Sequence, residues 1–125
     1  MRVVARILIY ESYENERRLL VEMVARLGHE PVVVTVPAAD YLTGIDVFVV
    51  EPANALGSVL AKGAHLIDPS LPIVCVEGQA PPPMDVPFAA CLVEPFQLGQ
   101  VGSAIERALR WRAERGVGDS RHRAA

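Results

Sequence analysis

The stretch DVFVVEPAN, residues 46–54, is an apolar β-prone run that passes straight into a glutamate and then a turn-forming proline. Three other apolar runs end the same way: ILIYE at Glu11, IVCVE at Glu77 and CLVE at Glu94. Near-continuous apolarity is the mark of a strand covered on both faces, as in a parallel sheet packed between helices. The segments between these runs carry the helical period. Residues 15–27 place Leu19, Leu20, Met23, Val24 and Leu27 at helical spacing, and Gly28 stands at the expected stop. Residues 53–67 predict a helix that Gly57 and Gly63 weaken by about 1 kcal/mol each relative to alanine. Residues 98–114 predict the best-formed helix, with Leu98, Val101, Ile105 and Leu109 along one stripe.

Further strands are expected at residues 3–10, 31–36, 72–76 and 90–93. Between the second and third strands, residues 37–42 leave room for only a turn or two of helix. Between the fourth and fifth, GQAPPPMDVP sets Pro81, Pro82, Pro83 and Pro87 where a helix would need backbone donors, so a loop is expected there. Strands alternating with helices give an α/β fold, an open doubly wound parallel sheet with its second and fourth helices shortened.

With 125 residues, one domain is expected over residues 1–115, followed by a flexible tail at 116–125 that lacks an apolar period. Half the residues are apolar and 22% charged, which excludes a chain too polar to collapse. No apolar run approaches the roughly 20 residues that span a bilayer, and no cleavage site follows the first one, so no membrane contact and a cytoplasmic location are expected. Cys75 and Cys91 both lie in apolar runs without CxxC spacing, and packing thiols are the expectation.

Open α/β sheets place their sites just beyond the carboxyl ends of the strands, where the four glutamates stand. A dinucleotide or flavin phosphate needs a glycine-rich turn after the first strand, but Glu11-Ser12-Tyr13-Glu14 is acidic and has no glycine. The GxxxxGK[ST] phosphate loop is absent. Ser12 as a nucleophile lacks a histidine at another strand end, since His29, His65 and His122 fall elsewhere.

The order of elements resembles the receiver domain of bacterial response regulators, of the chemotaxis-regulator type. The likeness rests on RILIYES (6–12), the pattern Leu19, Leu20, Leu27, Gly28, DVFVVEP (46–52), LPIVCVEG (71–78) and LVEPF (92–96), and spans residues 3 to 112. It implies a flavodoxin-like five-stranded sheet of order 2-1-3-4-5. In that family an acidic pair after strand one binds magnesium, an aspartate ending strand three accepts phosphate, a hydroxyl residue ends strand four, and a lysine followed by proline ends strand five. Position by position, the acidic pair falls on Glu11 and Ser12, the phosphoacceptor on Glu51, the hydroxyl residue on Glu77 and the lysine on Glu94. Only Pro95 is retained, where the family typically has a cis peptide. Aspartyl phosphorylation needs the right carboxylate, a divalent cation and a positive group. The resemblance therefore implies a degenerate, non-enzymatic pseudo-receiver that works by binding protein without phosphorylation at Glu51.

In that strand order the glutamates line up at about 5 Å, where unit charges repel by roughly 3 kcal/mol at an effective dielectric near 20. Splaying into water, protonation, or a divalent cation held by Glu11 and Glu51 would each relieve the row. The cation would make the chain a metal sensor or a metal-dependent enzyme; otherwise no cofactor is expected. The arginines at 107, 110, 112, 115, 121 and 123 raise a third reading, a regulator of transcription or of a nucleic-acid complex. The helix dipole alone favours basic residues there, and nucleic acid is not the expected partner. A protein partner or a second copy is expected on the strand-five and last-helix face, where Ala104, Ala108 and Trp111 form a stripe beside the core stripe.

Overall fold

In the computed structural model the described residues are 4–34, 40–77 and 85–124, with side chains through 115. Five strands alternate with three helices: β1 (Arg6–Tyr10), α1 (Glu14–Arg26), β2 (Glu30–Val33), β3 (Val47–Val50), α2 (Ala55–Ile67), β4 (Ile73–Glu77), β5 (Ala90–Val93) and α3 (Leu98–Ala124). All pairings are parallel and the order is β2-β1-β3-β4-β5, as the receiver resemblance implies.

Side chains alternate across the pleat and build two cores. Ile7, Ile9, Val47, Val49, Val74, Val76, Ala90 and Leu92 face α1 and α3, meeting Leu20, Val24, Val101 and Ile105. Leu8, Tyr10, Phe48, Val50 and Ile73 face the other way and meet Leu60, Ala61 and Ala64 of α2. β3 is buried at every position, which its unbroken apolarity requires. The edge strands differ from expectation: β5 alternates, with Cys91 and Val93 exposed, and β2 is only partly covered.

The shortened second helix is not present among the described residues. Residues 40–44 are a turn, closed by Thr43 N–H donating to the Asp40 carbonyl and Ile45 N–H to that of Leu42. Tyr41 secures it, with its ring edge-on to Phe48 at 6.2 Å and its hydroxyl donating to the Leu60 carbonyl at 3.1 Å. Gly44, at φ 73°, supplies the left-handed residue that lets the chain enter β3. The end of the expected second strand and the start of that helix (35–39), and the proline-rich segment at 78–84, lie outside the described residues. Residues 85–89 contain no helix.

α3 runs to Ala124, past the Glu114 at which its apolar period stops. Once a helix is nucleated, each further residue adds a backbone bond without needing an apolar partner. Its packing face also differs from the leucine line: Val101, Ala104, Ile105 and Ala108 are the buried set, whereas Leu98 and Leu109 are only partly covered. Arg112 fastens the helix to the opposite end of the sheet, donating to the carbonyls of Ile45 at 2.9 Å and Asp46 at 3.0 Å.

Gly57, which local propensity counts as a weakness, is where α2 touches β3. A Cβ there would overlap the Glu51 carbonyl oxygen and crowd the Tyr10 ring. Gly99 in α3 has open space around it. Gly57→Ala is therefore expected to cost at least 2 to 3 kcal/mol, roughly the scale of overpacking a close contact, and Gly99→Ala to gain about 0.4–1 kcal/mol, read as opposite shifts of the urea midpoint.

Candidate functional site

The strands' carboxyl ends bring some of the glutamates together and separate one, and the pleat decides which. Glu11, Glu51 and Glu94 each follow an even number of positions after residues that face α1 and α3, so they emerge on that side; Glu77 follows Val76 by one and emerges on the α2 side. Glu11 and Glu51 are buried, at 1% and 7% exposure, and Glu77 and Glu94 are half-buried.

Glu51 Oε1 accepts from the Ser12 hydroxyl at 2.6 Å and from the Ser12 N–H at 3.4 Å. Glu11 Oε1 accepts from the Tyr13 N–H at 3.2 Å. The other oxygen of Glu11, Oε2, is buried and has no donor. A carboxylate in that position would be unsatisfied, whereas the carboxylic acid has a proton to share in a side-chain hydrogen bond with Glu51. Burial, that hydrogen bond and the charges of Glu51 and Glu94 push the Glu11 pKa up to about 8, against a smaller downward pull from the Tyr13 N–H. A proton, rather than splaying into water, relieves this pair. Glu94 is also pushed up, by burial first and then by Glu16 and Glu51, while Glu77 Oε2 lies 4.0 Å from Cys75 Sγ.

Two residues that sequence reasoning missed complete the site. The Asn54 side-chain oxygen caps α2, accepting from Leu56 N–H at 2.9 Å and Gly57 N–H at 3.4 Å, and also accepts from the Tyr10 hydroxyl at 2.9 Å. The local signal was an Asn directly before the helical period. Arg17, one turn into α1, donates to the Glu11 carbonyl at 3.3 Å and brings a cation to the acidic edge. The Glu94–Pro95 peptide is cis. Glu94, Pro95 and Phe96 with Glu16 and Leu19 line a groove of about 410 Å³ beside the pair. Among the described residues, no group of three or more His, Cys, Asp or Glu side chains is arranged to hold a metal ion. No helix there is long and apolar enough to cross a membrane.

The expected interface stripe does not survive as drawn. Ala104 and Ala108 are core residues at 6% and 0% exposure, because a helix packed on a sheet puts its small residues where the backbones come closest. Trp111 is half-buried, with the Arg115 guanidinium 3.9 Å from its ring centroid. The open surface on this side is a groove of about 470 Å³ between β5 and α3, lined by Val93, Gln97, Gln100, Ser103 and Arg107 among others.

This architecture matches solved receivers. The chain superposes on NtrX from Brucella abortus, in complex with ADP, with a TM-score of 0.75 at 20% identity, covering 98% of this chain and 30% of that one. It superposes on the response regulator StyR with a TM-score of 0.75 at 18% identity, over 98% of this chain and 67% of that one. The N-terminal domain of a response regulator/sensory box/GGDEF protein from Carboxydothermus hydrogenoformans gives 0.75 at 18%, over 90% of this chain and 98% of that domain. The fold is that of a response-regulator receiver. The chain spans about a third of the length of NtrX. No family model matches the sequence, and no curated protein matches it.

The Glu11 proton makes stability depend on pH with a definite sign. Its folded pKa lies above the unfolded value of 4.5, so the folded state binds the extra proton between 4.5 and about 8. The stabilisation is complete below pH 4.5 and lost as pH rises through 8, at about 1.4 kcal/mol per pH unit across the window. Urea midpoints measured from pH 5 to 8 are expected to fall for the wild type and to stay flatter for Glu11→Gln, whose amide donates to Glu51 without a titrating proton.

Proposed function

We propose that the chain is a pseudo-receiver, a signalling or scaffolding module of the two-component type that acts by binding protein and is independent of phosphorylation. The reading rests on the state of Glu51. Its carboxyl stands where a receiver's phosphoacceptor stands and is held by the Ser12 hydroxyl at 2.6 Å and by Glu11. A phosphoryl group arriving there would displace the Ser12 bond and meet Glu11 and Glu94, with no lysine to balance it. Phosphoryl transfer depends on positive groups and metal to offset developing charge, and apart from Arg17, bound to the Glu11 carbonyl, this edge supplies carboxyls. The arrangement favours a fixed conformation over a switched one.

Binding to protein is assigned to the face formed by β5 and α3, with Trp111 as its aromatic anchor and Ala104 and Ala108 left to the core. Tryptophan is enriched among residues that dominate binding energy. The exposure of Val93, at 58%, adds an apolar contact on the adjoining strand.

Incubation with acetyl phosphate and Mg²⁺ followed by intact-mass measurement is expected to leave the protein unmodified; a base-labile phosphoryl adduct mapping to Glu51 would overturn the reading. Light scattering and partner capture with Trp111→Ala are expected to show lost association while the variant stays folded, read by its urea midpoint. Loss of stability with association intact would place Trp111 in the core edge instead.

A further inference from the structure

Cys75 and Cys91, sixteen residues apart in sequence, are directly opposed in the ladder between β4 and β5. Both are free thiols on the α2 side of the sheet; Cys75 is fully buried and Cys91 is exposed. Adjacent strands lie about 4.8 Å apart, within the Cα separations that a disulfide spans. A third group is in place: Glu77, two residues after Cys75 on the same face, holds its Oε2 4.0 Å from Cys75 Sγ. Each thiol's titration feels the other and Glu77. Burial pushes both thiols up, Cys75 strongly, while a hydrogen bond from Cys75 eases the rise at Cys91; exposure makes Cys91 the sulfur that an oxidant in solution reaches.

We propose that Cys75 and Cys91 form a redox-responsive dithiol, which hydrogen peroxide oxidises to an intrachain disulfide joining β4 to β5. The exposed Cys91 sulfur attacks one peroxide oxygen; the S–O bond forms, the O–O bond breaks, and the leaving hydroxide departs as water with the Cys91 proton. Cys75 sulfur then attacks the Cys91 sulfenic acid. Glu77 takes the Cys75 proton as the S–S bond forms and the S–O bond breaks, and passes it to the leaving hydroxide, giving a second water. The two sulfurs together lose two electrons and the peroxide gains them. The inference is independent of the phosphorylation state of Glu51.

The experiment uses the full chain, reduced and then exposed to hydrogen peroxide, with remaining thiols alkylated in denaturant before intact-mass measurement and peptide mapping. The expected result is the loss of two hydrogen atoms, no alkylation, and a crosslinked pair of peptides containing Cys75 and Cys91, all reversed by dithiothreitol. Cys75→Ser is expected to accumulate a sulfenic acid at Cys91 that dimedone captures, and Cys91→Ser to leave Cys75 reduced. Oxygen added to Cys91 of the wild type with Cys75 still alkylatable, or a Cys91 crosslink between two copies, would overturn the proposal, as would wild type in which both thiols remain free.

Discussion

Two carboxyls buried against each other cannot both be ionised without a counter-charge, and the site edge of this protein is organised around that constraint. Glu11 and Glu51 sit at the ends of adjacent strands, β1 and β3, whose pairing brings Tyr10 opposite Val50. The register that builds the core therefore also forces the two side chains together. A proton on Glu11 satisfies both the electrostatics and an otherwise orphaned oxygen. Ser12 then completes Glu51, and Tyr10, whose own pKa is raised by burial and by both glutamates, turns its hydroxyl to Asn54.

The same strand ends fix the position of α2. Asn54 ties its first turn to Tyr10, and Gly57 lets its backbone rest on the Glu51 carbonyl. Packing and site chemistry share residues here, so a change that disturbs one disturbs the other. On the opposite edge the coupling is looser. β5 is covered on one face only, and its outward residues Cys91 and Val93 meet solvent where a doubly wound sheet usually has a helix.

Much of the fold was legible because its signals are local. Unbroken apolar runs such as VFVV mark buried strands, Leu20 and Val24 mark the inner face of α1, and Gly28 marks its stop. The turn at 40–44 was less legible, because Tyr41 fills by aromatic contact and a single hydrogen bond what a helix would otherwise cover, and no periodicity records that. At the site, the glutamates stood out in the sequence, but their grouping depends on pleat parity. Counting alternate positions back from Glu77 separates it from the other three, and a row drawn only at strand ends misses this. Ala104 and Ala108 were misplaced because a stripe drawn through leucines ignores how closely alanine lets a helix approach a sheet. The opposition of Cys75 and Cys91 is a matter of register between distant segments, beyond the reach of spacing.

The capping of α2 has one further electrostatic consequence. An aspartate would cap a helix as well as Asn54 does, and acidic residues are favoured in a first turn, yet α2 has an amide cap and no acidic residue there. The positive end of its backbone dipole, worth about half an elementary charge, is thus not neutralised by the helix's own side chains. It begins four residues after Glu51, at the edge where the carboxyls gather. Peptide groups aligned along α2 provide a fixed, unionisable source of positive potential for an acidic edge that has no lysine of its own.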